Sequence, residues 1–315
     1  MNPENPTGET GKQGVSWLLR FLIISFWLFG LGLVFWLAWR FRAEIVPYLQ
    51  NANLWLLASS FLAFLFSLAA IIGGWVAIMR LFAPQFPLAA HIKIYCATLA
   101  ARRLPGTVWY VGGRLVLYKQ AGVSRAEVSL ASGIELAAII GSGLALGITL
   151  LPAALGLTPR YSALAALASV AASVWLGPRL VAWLAGRFVP LRAAPGGRDV
   201  LAWLGWFGLM WLLGGVMLAQ IIRAFQPLPR SELVFVCGAW ALSGALGALT
   251  FLLPSSFGVS DISLAILLAQ IMPAPAAGTI AVITRILGIL YEFLLAAAFL
   301  PWLREPGKQK TPGGG

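Results

Sequence analysis

Charge is what this sequence has least of. Asp, Glu, Lys and Arg make up 10% of its 315 residues, where an ordinary soluble domain carries roughly a quarter. Only ten residues are acidic, one is histidine and two are cysteine. With one His (His91) and no grouped His, Asp and Glu, there is no set of side chains at metal-ligand spacing. The chain also has no Gly-x-Ser-x-Gly elbow and no Walker loop. Cys96 and Cys237 stand alone in apolar segments, which excludes a disulfide framework. No metal, no cofactor and no enzyme activity are therefore expected.

Apolar length is what the sequence has in excess. Hydrophobic residues make up 60% of the chain and the mean hydropathy is +0.88. Several runs reach about 18 residues, enough to cross a bilayer core. The fold class is all-α: a polytopic helical membrane protein. The expected spans are 17–39, 54–79, 127–151, 161–184, 200–222, 232–253 and 276–300. Two segments fit less well. Residues 88–118 are semi-polar and broken at Pro105-Gly106, and residues 254–273 lie short between Pro254 and Pro273. Both read as broken or re-entrant half-helices, for about eight membrane segments in all. The polar stretch 1–16 is expected to be a disordered cytoplasmic tail, 17–303 a single membrane domain and 304–315 a second disordered tail. The run Trp17–Trp39 is too long for the apolar core of a signal peptide, so an uncleaved first span is expected.

The net charge of +12 would suggest nucleic acid in a soluble protein. Here the cations stand between apolar runs, where they set topology and meet anionic headgroups. Membrane lipids, not nucleic acid, are the expected partners. Arg114, Lys119 and Arg125 form one basic connection, Arg179, Arg187, Arg192 and Arg198 the densest, and Arg304, Lys308 and Lys310 mark the C-terminus. On the positive-inside rule both termini are expected in the cytoplasm if residues 254–273 cross fully; the sequence leaves open whether that segment crosses or re-enters.

The residues expected to bind a lipid headgroup lie in one stretch, "RRLPGTVWYVGGR". Pro105 removes a backbone donor and Gly106 lets the backbone approach closely. Arg102, Arg103 and Arg114 supply forked donors for a phosphate. Trp109 and Tyr110 suit the headgroup level. Glu135, Arg285 and Glu292 stand inside apolar runs, where a charge costs on the order of 3 kcal/mol and so faces a cavity or a partner. Asp261 opens a short helix, with Ser260 as the expected N-cap. Ser124 and Glu127 have the spacing of a capping box. "GSGLALG" (141–147) reads as a close helix-packing face, and His91 as a structural residue.

"AGVSRAEVSLA" (121–131) and "FGVSDISLA" (257–265) share Gly-Val-Ser and Ser-Leu-Ala, and each follows a Leu-Pro break. That is the pattern of two repeated halves, each with an interrupted helix, as in an inverted-repeat transporter.

The blocks "RRLPGTVWYVGGR…AGVS" and "LLPSSFGVSDISLA…TRILGILYEF" resemble the lysylphosphatidylglycerol synthase transmembrane-region family, which includes the membrane half of the bacterial multiple peptide resistance factor. The resemblance covers about 15–300. In the second block the family pattern is closer to Pro-Gly-Gly-x-Gly followed by Glu, where this chain has Pro254-Ser255-Ser256-Phe257-Gly258 and Asp261. The resemblance implies residence in the bacterial inner membrane and movement of an anionic phospholipid or polyprenyl-phosphate-linked glycolipid between leaflets, without synthase activity. The alternatives are a membrane enzyme acting on a lipid phosphate or sugar, with Asp261 or Glu135 as base, and a non-catalytic partner of a lipid-modifying enzyme. A homo-oligomer is a further arrangement the partners could take.

Overall fold

A computed structural model describes residues 52–99, 108–189, 194–250 and 258–303, with a helix over Arg42–Gln50 and isolated positions before it. All the α-helices and short 3-10 turns lie in one bundle, and there is no strand among the described residues. The helices are α1 (Arg42–Gln50), α2 (Leu54–Met79), α3 (Leu88–Leu99), α4 (Val108–Gln120), α5 (Arg125–Leu150), α6 (Pro159–Phe188), α7 (Gly197–Phe225), α8 (Leu233–Leu249), α9 (Val259–Leu268) and α10 (Ala274–Leu303). Six helical stretches are long and apolar enough to cross a membrane, falling on α2, α5, α6, α7, α8 with its preceding turn, and α10. They match six of the seven expected spans. The seventh, 17–39, falls almost entirely outside the described residues. The chain is a multi-pass membrane protein.

Local chemistry sets the helix starts. Asn53 caps α2, its side chain accepting from the Trp55 and Leu56 N–H groups. Ser124 and Glu127 form the expected capping box on α5, satisfying two otherwise orphaned donors. Ser260 does not cap α9. The N-cap is Gly258, at φ 101°, and Ser260 stands inside the first turn. A left-handed backbone suits glycine because it has no Cβ to clash, so the helix is capped two residues earlier than the serine suggested.

Helices α2 and α7 form the central antiparallel pair. The Asn53 N–H donates to the Ala224 carbonyl at one end, and the Ser67 hydroxyl to the Met210 carbonyl further along. At the other end Gly73 and Gly74 lie under Trp206 and Phe207: a Cβ on Gly74 would stand 2.7 Å from the Phe207 ring. The bundle thus has an Asn53 end and an Arg80 end. Helix α5 runs from the Arg80 end and packs antiparallel to α8, with Gly143 against Ala241 and Ala245, and Gly147 against Leu242. Gly143 and Gly147 of "GSGLALG" are therefore packing positions, whereas Gly141 meets nothing within 4 Å.

The two short-helix regions are antiparallel hairpins. In the first, α3 and α4 meet at His91–Tyr118 and Thr98–Gly113. Its open side is at the Arg80 end, where Trp75 Nε1 donates to the Tyr118 hydroxyl at 2.9 Å. In the second, α8 and α9 meet at Gly247–Ser260. Its open side is at the Asn53 end, where the Gln226 amide reaches Met272. The two hairpins enter the bundle from opposite ends. The connecting residues that hold the two Leu-Pro pairs, 100–107 and 251–257, lie outside the described residues.

This arrangement changes how the repeat reads. The Gly-Val-Ser matches do not correspond: Gly122 (φ 85°) turns the chain at the open side of the first hairpin, whereas Gly258 starts the second helix of the second hairpin. The shared Gly-Val-Ser reflects one local need, a left-handed glycine before a helix, at two different places.

The basic connection also reads differently. Arg179 and Arg187 belong to α6, not to a loop, and Arg198 opens α7; Arg192 is outside the described residues. Arg179 and Arg187 stack over Trp175 and Trp183, each one turn back, at 4.4 and 4.1 Å. Such aromatic and cationic pairs suit a membrane–water boundary.

Close glycine packing makes a measurable demand. A Cβ on Gly215 of α7 would meet the Cys237 backbone at 2.6 Å, while one on Gly205 of the same helix meets nothing within 4 Å. Gly215→Ala is expected to destabilise the detergent-solubilised protein by about 1–3 kcal/mol through overpacking. Gly205→Ala is expected to be neutral or stabilising by up to about 1 kcal/mol. Thermal unfolding of the two variants side by side tests this; equal melting temperatures would refute the packing account.

Candidate functional site

The first hairpin carries a buried ion pair. Arg114 stands midway along α4 and Glu135 midway along α5, and their side chains are 1% and 2% exposed. Arg114 Nη1 donates to Glu135 Oε2 at 2.5 Å and Nη2 to Oε1 at 3.5 Å. The Tyr95 hydroxyl of α3 donates to Glu135 Oε1 at 3.0 Å. Aromatic rings cover the guanidinium, whose Cζ lies 4.1 Å from the Trp75 ring centre, 4.3 Å from Tyr95 and 5.1 Å from Tyr110. Each ring presents its negative face to the cation, an attraction that strengthens when water is excluded. Four helices thus supply one charge site: α2 through Trp75, α3 through Tyr95, α4 through Tyr110 and Arg114, and α5 through Glu135.

Hydrogen bonding extends the site toward the Arg80 end. Tyr118 accepts from Trp75 Nε1, which can only donate, and shares a 2.6 Å bond with His91 Nδ1. The Phe86 ring covers both Tyr118 and His91. His91 is buried within this network. One donor is left over: Arg114 Nε is buried with no hydrogen-bond partner among the described residues. Such groups are rare enough in folded proteins to need a reason.

This corrects the expectation for Arg114. It does not lie at a headgroup-level surface; it is enclosed in protein and neutralised by Glu135. An unpaired charge in a low-dielectric interior is too unfavourable to persist, and "GGR" with Gly113 against Thr98 lets α4 sit close enough to α3 for the pair to form. Tyr110 is likewise buried. Trp109 is placed in the first turn of α4. Arg102, Arg103, Pro105 and Gly106 lie outside the described residues.

A second pair belongs to the second hairpin. Arg285 of α10 reaches Asp261 of α9 at 3.5 Å, with the two side chains 24% and 31% exposed. Asp261 lies in the first turn of α9. Glu292 is half-buried on α10. Beside Arg285, the buried Thr284 hydroxyl has no hydrogen-bond partner among the described residues, and neither does Gln220 Oε1 of α7.

The residues that sequence reasoning missed are Trp75, Tyr95 and Tyr118. Their signal was present: aromatic residues with polar tips inside aliphatic runs need a hydrogen-bond partner when buried.

Breaking the first pair from one side is expected to be costly. Arg114→Leu leaves Glu135 as an uncompensated buried carboxylate and should destabilise the fold by about 3–5 kcal/mol. The Arg114→Leu, Glu135→Leu double variant should be more stable than Arg114→Leu alone. A double-mutant cycle read by thermal unfolding checks this, and additive effects of the two changes would contradict it. Comparison of the chain with protein-family models and with curated proteins finds no match.

Proposed function

We propose that the protein binds an anionic lipid, a phospholipid or a polyprenyl-phosphate-linked glycolipid, and moves it between the leaflets of the bacterial inner membrane. The observation that carries this reading is the placement of two charge pairs, Arg114–Glu135 and Asp261–Arg285, on two short-helix hairpins that open at opposite ends of the bundle. Ionisable groups within a membrane bundle mark transport pathways by default. Interrupted helices in corresponding positions of two oppositely oriented halves mark the site in many transporters.

Helix length supports re-entrance. At 1.5 Å per residue, α3, α4 and α9 rise about 15–20 Å, roughly half to two-thirds of a hydrocarbon core of about 30 Å. The α3–α4 hairpin would dip into the membrane and return, and α9 would return part of the way beside the longer α8. Arg80, Lys119, Arg125, Arg179, Arg187 and Arg198 gather at the Arg80 end, whereas Arg160, Arg223 and Arg230 stand toward the Asn53 end. On the positive-inside rule the Arg80 end is cytoplasmic. The C-terminus then lies in the cytoplasm, because α10 runs antiparallel to α9 toward the Arg80 end. The N-terminus joins it if 17–39 forms the first span. In this reading the phosphate is drawn to the half-exposed Arg285, whose Asp261 partner is already partly in contact with solvent.

Two measurements test this. In liposomes, wild-type protein should transfer a labelled anionic lipid, and Arg285→Gln should slow transfer at least tenfold while the protein still folds. No transfer of any anionic phospholipid or polyprenyl-linked glycolipid by the wild type would end the proposal. For orientation, Lys119→Cys should react with an impermeant thiol reagent only after cells are opened, and Gln270→Cys in intact cells. The same accessibility for both would disprove the opposed hairpins.

A further inference from the structure

Away from both charge pairs, a groove of about 530 Å³ runs between α2, α3, α7 and α10. Its walls are apolar: Leu65, Ile72 and Val76 from α2, Ile92 from α3, Trp206 from α7 and Leu295 from α10. Arg80 is the single charged residue lining it. That arginine is exposed at the C-cap of α2 and makes no ion pair among the described residues. The groove therefore has the polarity of an amphiphile, a long apolar channel ending in one forked cation suited to a phosphate.

Its dimensions narrow the ligand. From Leu65 to Arg80 the α2 wall rises about 22 Å, more than the roughly 15 Å that one leaflet contributes to the hydrocarbon core. At about 530 Å³ the groove falls within the roughly 300–1,000 Å³ of pockets that hold one small molecule, a size that suits one chain better than two. We propose that this groove is a binding site for a phosphate monoester of a single long apolar chain, with the phosphate on Arg80 and the chain lying along α2 past the bilayer midplane. The site needs only a membrane protein with this groove. It stands apart from translocation, because binding is read at equilibrium on solubilised protein.

The test is binding of hexadecyl phosphate to the purified full chain in detergent, with hexadecanol and dipalmitoyl phosphatidic acid as comparators. Hexadecyl phosphate should bind at least tenfold more tightly than either. Arg80→Gln should weaken hexadecyl phosphate about tenfold and leave hexadecanol unchanged, and Arg80→Lys should retain most of the preference. Ala69→Phe, at an exposed position on the groove wall, should weaken both single-chain ligands without lowering the melting temperature; Leu68→Trp provides a second block if that variant does not fold. Equal binding of phosphate and alcohol by the wild type would overturn the proposal. So would an Arg80→Gln effect shared by both ligands, or equally tight binding of the two-chain lipid. A polyprenyl monophosphate in place of hexadecyl phosphate separates an isoprenoid source from a simple alkyl one.

Discussion

The arrangement rests on one interaction, the enclosed pairing of Arg114 with Glu135. A lone guanidinium or carboxylate at that depth would be untenable, so neither α4 nor α5 can take its place without the other. Tyr95 fixes the carboxylate and Trp75 lies over the cation, which ties α3 and α2 to the same point. The hairpin of α3 and α4 depends on such ties, with the Trp75–Tyr118–His91 hydrogen bonds and its apolar packing, since neither helix is long enough to be an independent span. The pair does not make the fold stable in the way an apolar core would. It makes one arrangement of four helices far better than any that separates the charges.

Around that point the bundle is built by close approach. Between membrane helices there is no hydrophobic driving force of the aqueous kind, so packing density and small residues decide which faces meet. Gly73 and Gly74 accept Trp206 and Phe207, Gly214 accepts Trp240, and Gly244 accepts Trp211. Each is a small-into-large fit between neighbouring helices. Trp211 also donates from Nε1 to the Ile139 carbonyl, so the ring both fills space and joins α7 to α5. Helix α6 is the exception. Very little of its apolar window is buried, so it lies outside the core formed by the other described helices.

Six of the spans were legible because length and hydropathy determine them directly, and so was the capping box at Ser124. The partners were not. Periodicity shows that Glu135 needs a counter-charge but not that it lies twenty-one residues back on a different helix. The same local pattern, Gly-Val-Ser, served two topological positions, so sequence similarity pointed to a repeat register that the hairpins do not follow. Arg114 looked like an interfacial residue because its neighbours, two glycines, a tyrosine and a tryptophan, are also what an interfacial loop would contain. What distinguishes the two cases is enclosure by Trp75 and Tyr95 from other helices, and no local window holds that information.

The two charge pairs differ in a way that bears on mechanism. One is sealed, with every oxygen of Glu135 engaged and only Arg114 Nε left over; the other is longer and half-exposed. An incoming phosphate can displace a carboxylate from an arginine only by offering charge-assisted bonds of similar strength. At Arg285 it would meet a cation already partly in contact with solvent, whereas at Arg114 it would first have to separate a buried pair and open its aromatic cover. On the transport reading, the half-exposed pair is the one that receives a ligand in this arrangement. The sealed pair is then a lock, and a ligand shifts that equilibrium only by binding the unlocked arrangement more tightly. The unpaired Nε gives such a ligand a contact that Glu135 leaves unused.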